Sequence, residues 1–112
     1  MAELIDLYNE AEKLHDEGKI DEAVARLEEI VASDNTFALA HSALAVYLGK
    51  LGRHEEAVKH GQRVCELEPG DPFSFTAMSV TFQRAYAGTN NHQYITLAEE
   101  AMARSQMIQS GQ

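Results

Sequence analysis

The chain has 112 residues, 45% hydrophobic and 24% charged, which is room for one small soluble domain or a short array of repeated units. Its 18 acidic residues against 9 basic ones set a net charge of −9, which works against nucleic acid and anionic membrane surfaces as partners. No apolar run approaches the length of a membrane span, and the single cysteine, Cys65, rules out an internal disulfide.

The opening stretch, "MAELIDLYNEAE", is acidic and amphipathic, unlike a signal peptide or an Arg-rich transit peptide, so the expected location is cytoplasmic. Leu4, Leu7, Ala11 and Leu14 step by three and four, which predicts a first helix over 3–17. Gly18 follows, where a left-handed residue ends a helix at least cost. Ile20, Ala23, Val24, Leu27, Ile30 and Val31 carry the same period through a second helix, 20–33, until "SDNT" breaks it. Further helices are predicted over 37–50, 54–67, 72–86 and 94–109, with Gly52 parting the third from the fourth. Asp71 is placed to cap the fifth, and Pro72 sits in its first turn, where a missing N–H does no harm. "AGTNNHQY", 87–94, reads as an elongated turn. The acidity is uneven: residues 4–37 hold ten acidic and three basic residues, 38–71 five and four, 72–112 two and two.

A shift of 34 positions lays the chain on itself. Ala11 falls on Ala45, Leu14 on Leu48, Gly18 on Gly52, and Asp21-Glu22-Ala23-Val24 on Glu55-Glu56-Ala57-Val58. A second shift carries Leu39 to Phe73, Ala45 to Ser79 and Leu48 to Phe82 before about seven extra residues interrupt the match. The period, the two helices per unit and the small-then-large pattern resemble the tetratricopeptide repeat (TPR) family. The second unit carries the resemblance best, through Leu44-Ala45, Leu48, Ala57 and Pro69; His41 in that unit and Phe75 in the third hold the repeat's opening large position. Gly61 departs from it, standing where a bulky core residue is usual. The resemblance implies an all-α fold, a right-handed superhelical helix-hairpin solenoid of six helices. It implies a single domain, 1–112, with repeats at about 4–37, 38–71 and 72–109 and an insertion near 87–94 in the third.

Chemistry is hard to place on this chain. "HEEAVKH", 54–60, resembles the zinc-protease motif, but the residue one turn on from His54 is Val58, so His60 is read as part of a solvated face. Cys65 is read as a small buried hydrophobe, and no phosphate loop or nucleophile triad stands out, so the expected protein is not an enzyme and has no cofactor. In the TPR family the first helices of the repeats line a concave groove. By that resemblance the partner-binding groove here takes Ile5, Tyr8, Asn9, Glu12 and Asp16; then Leu39, Ser42, Ala43, Val46 and Lys50; then Phe73, Thr76, Ala77, Val80, Gln83 and Arg84. Its centre is small and apolar, with Glu12 and Asp16 at one end and Lys50 and Arg84 towards the other. The family's best-known groove clamps the acidic C-terminus of a chaperone with Lys, Asn and Arg; those positions here read Tyr8, Glu12, Ala43, Phe73 and Ala77, so such a tail is not expected. The expected function is a protein-interaction scaffold or adaptor for a protein or peptide partner with an apolar or amphipathic segment. Two other readings stay open: a self-assembling homo-oligomer joined through the groove or last helix, and a metal- or redox-responsive protein using the scattered His residues and Cys65.

Overall fold

Six α-helices occupy the described residues, 2–111, of the computed structural model: α1 (Ala2–Asp16), α2 (Ile20–Ser33), α3 (Ala38–Lys50), α4 (His54–Leu67), α5 (Pro72–Thr89) and α6 (Gln93–Gln109). Each break has a local cause. Gly18 and Gly52 take φ of +83° and +78°, a left-handed conformation open to glycine because it has no Cβ. The N–H of Lys19 then donates to Leu14 O at 2.8 Å, and that of Arg53 to Leu48 O at 2.9 Å, so the two turns close alike. Between α2 and α3, the Asp34 carboxylate accepts from both the N–H (2.9 Å) and the hydroxyl (2.6 Å) of Thr36. Asp71 caps α5 by accepting from the N–H of Phe73 at 2.9 Å, with Pro72 at the first helical position.

The last connection differs from the elongated turn expected over 87–94. Helix α5 runs on through Thr89, and the chain reverses within Asn90, Asn91 and His92. Asn90 supplies the stop at φ +62°, since its short polar side chain tolerates the left-handed region. The extra residues therefore lengthen a helix rather than a loop. Gly88 allows this, because it passes so close to His54 at the start of α4 that any side chain there would meet the imidazole.

Each helix packs on its neighbours in sequence, and α3 also touches α5. The buried residues form two clusters, one linking α1 to α4 around Leu27, Ile30, Leu44 and Leu48, the other linking α4 to α6 through Val58, Met78, Phe82 and Ala98. Ala57 and Val58, adjacent in α4, belong one to each, which is how stacking passes the core along the chain. Small residues keep the seams close. Ala11 and Ser79 are both buried, and the Ser79 hydroxyl donates across the α5–α6 seam to Ala98 O at 2.9 Å. Gly61 is buried too, and the missing side chain is replaced from the next helix: a Cβ there would lie 2.7 Å from Sδ of Met78.

Candidate partner-binding groove

Among the described residues the large apolar side chains left exposed are Ile5, Leu39, Val46, Phe73, Val80, Ile95 and Met107. The first five lie on α1, α3 and α5, at positions assigned to the groove, and Phe73 at 73% exposure is the barest. Between α3 and α5 is a cavity of about 300 Å³. Ser42, Val46, Ala77, Val80 and Arg84 line it, with buried Ala45, Gly61, Val64, Ser74, Met78 and Thr81. The apolar centre read from the sequence is thus largely assembled in one place.

Three expected residues turn elsewhere. The Thr76 hydroxyl lies 2.8 Å from Oγ of Ser105 in α6 and also donates to Pro72 O at 3.2 Å. Gln83 donates to the Ser79 hydroxyl at 3.2 Å and lines a separate cavity of about 480 Å³ with Ile95 and Met102. Thr76, Ser79 and Gln83 are three and four residues apart, one helix stripe facing α6, whereas Ala77, Val80 and Arg84 form the adjacent stripe. Ala43 is half-buried against the α1–α4 core instead of opening into the cavity.

The acidic end gathers around two tyrosines. Tyr8 packs its ring 6.3 Å from that of Phe37. Burial first, then the Glu12 carboxylate, raises its hydroxyl pKa. Tyr47, which the sequence reading left out, is buried beside it; burial, then Tyr8, Glu12 and Asp16, raise its pKa. The His15 ring stacks on Tyr47 at 4.3 Å and 5°. Lys50 donates to Nε2 of His15 at 2.7 Å, and Nδ1 of that ring is 3.4 Å from Asp16. Lys50 therefore belongs to the acidic end, a correction to the expected charge polarity. Arg84, the other cation expected of the groove, is exposed on α5. Asn9 and Ile5 are exposed on α1.

His60 also departs from the solvated face expected of it. It is half-buried, with Nδ1 2.9 Å from Nδ1 of buried His41. The sequence signal was weak, because the two lie on different helices, but His41 does occupy the repeat's opening large position, which faces the second helix of its pair. Cys65 is half-buried with its thiol 3.5 Å from Ser74 O. Burial, then Glu66, push its pKa up to about 11, which keeps the thiol protonated at neutral pH. Among the described residues no three His, Cys, Asp or Glu side chains group closely enough to hold a metal ion. No helix there is long and apolar enough to cross a membrane.

No family model matches the chain, and no curated protein does either. Solved structures do share its fold. The second TPR of Spaghetti (RPAP3), bound to the HSP90 peptide SRMEEVD, superposes with a TM-score of 0.75 at 19% identity, over 94% of this chain and 91% of that one. The crystal structure of MamA protein superposes with a TM-score of 0.77 at 15% identity, over 96% of this chain, which spans 57% of MamA. The chain has the all-α helical-repeat fold of TPR domains.

Proposed function

We propose that the chain is a protein-interaction module, one domain of three helix-pair repeats at about 4–37, 38–71 and 72–109, whose face of first helices binds an apolar or amphipathic segment of another protein. What carries this reading is the distribution of bare apolar side chains: among the described residues five of seven lie on the first helices α1, α3 and α5, and two of these, Val46 and Val80, wall a cavity with Ala77. Apolar surface gathered on one face, and not scattered singly, is the kind a partner covers. The RPAP3 domain holds an HSP90 peptide, but this chain presents Tyr8, Glu12, Ala43, Phe73 and Ala77 where a basic and amide clamp would stand. Its groove suits burial of side chains over capture of a terminal carboxylate.

The test compares affinity capture by the parent with capture by the double variant Val46→Glu/Val80→Glu. The expected result is a helical circular-dichroism spectrum unchanged and the captured protein lost. Equal capture by both would contradict the reading.

A second reading has its own observation. Ile95 is exposed on α6 and lines the cavity between α5 and α6 with Ala98 and Met102, a face that a second copy could cover. Light scattering over a hundredfold range of concentration tests it. A mass that doubles in parent and Val46→Glu/Val80→Glu alike would favour assembly through α6, and a constant monomer would exclude it.

A further inference from the structure

Resting on the groove reading, we infer that the cavity between α3 and α5 takes one aliphatic side chain of a partner segment whose neighbouring Asp or Glu pairs with Arg84. The cavity supplies the first half. Its walls, Val46, Ala77 and Val80, are apolar, and about 300 Å³ is at the floor of the range usual for small-ligand sites, the scale of side chains more than of a whole helix.

Arg84 supplies the second half. It lines the same cavity and is exposed. Among the described residues every other arginine already has a partner. Arg26 pairs with Glu10 and Glu29, Arg53 with Glu56, and Arg63 with Glu66, while Arg104 lies over the Phe75 ring at 5.8 Å from its centre. Arg84 has neither an ion pair nor an aromatic contact among the described residues, in a chain with 18 acidic residues and a net charge of −9. Guanidinium forks favour carboxylates in bidentate geometry, and one beside an apolar wall is shielded from water once the wall is covered. The acidic opposite end, with Glu12 and Asp16, repels a carboxylate, so the pair also sets the direction in which the segment lies.

A phage-displayed library of random dodecapeptides is the probe. Selected peptides that bind the parent but not Val46→Glu/Val80→Glu should share an aliphatic residue with Asp or Glu within a turn of it. Arg84→Gln should weaken them about 10-fold or more, Arg84→Glu further, and a Glu→Lys change in the peptide should restore binding to Arg84→Glu. Groove-dependent peptides without an acid, or unaffected by Arg84→Glu, would overturn this inference and leave the groove reading standing. A library yielding no groove-dependent peptide would overturn both.

Discussion

Nδ1 of His41 and Nδ1 of His60 face each other at 2.9 Å, and His41 directs its Nε2 at the carbonyl of Asn35 at 3.0 Å. A carbonyl only accepts, so His41 carries its proton on Nε2 and accepts at Nδ1, and His60 must donate from Nδ1. A second proton on His41, at Nδ1, would set two N–H groups head to head. Burial is the first cause that lowers both pKa values; Arg63 adds to it at His41, and His41 adds to it at His60, while Asn35 and Glu56 oppose it.

These directions fix how stability changes with pH. The unfolded histidines take up protons near pH 6.5, the folded pair only below that, so in the window between them the unfolded chain binds more protons. Stability is therefore full above about pH 7.5 and falls as the pH drops to about 5.5, before most carboxylates titrate. Urea melts at several pH values should show the midpoint falling across this window. A flat or rising midpoint would contradict the pairing.

Met78 stands in for the side chain that Gly61 lacks. Gly61→Leu should overpack this seam and destabilise the fold by about 1–3 kcal/mol, and adding Met78→Ala should recover at least part of the loss. Denaturant melts of both single variants and the double variant give the coupling. Strict additivity would mean that the two positions do not share the space.

Val46 and Val80 are 37% and 38% exposed, so their role is on the surface. Each glutamate in Val46→Glu/Val80→Glu should change stability by no more than about 0.5 kcal/mol. Loss of several kcal/mol in thermal or denaturant melts would make these side chains core and move the groove elsewhere.

Cys65 should be slow to alkylate. With its pKa pushed up to about 11, chiefly by burial, little thiolate exists at neutral pH. The labelling rate of the native protein should lie well below that of a free thiol and keep climbing with pH beyond 9, the ordinary cysteine value. Fast labelling at pH 7 would revive a redox role.

Helix ends were legible because their causes are local. Gly18, Gly52 and the Asp71–Pro72 pair act through their own φ or hydrogen bonds, so pattern alone located those breaks. The end of α5 was not legible, since Gly88 reads as a turn former, and only its contact with His54 shows why a helix uses it. Within the candidate site, the TPR resemblance assigned Ala77, Val80 and Arg84 to the groove together with Thr76 and Gln83. A family pattern without side-chain contacts does not separate neighbouring helix stripes, which is why Thr76 and Gln83 were assigned to the groove although they face α6. Side-chain reach escaped it as well: Lys50 bends to His15, and His41 finds His60, by contacts between helices.

The most direct measurement is the change in amide chemical shifts when a library-selected, groove-dependent peptide is titrated into isotope-labelled protein. The largest changes are expected at Ser42, Val46, Ala77, Val80 and Arg84, with α2 and α6 nearly still. Changes centred on Ile95 and Met107 of α6, or on the second helices of the pairs, would contradict it.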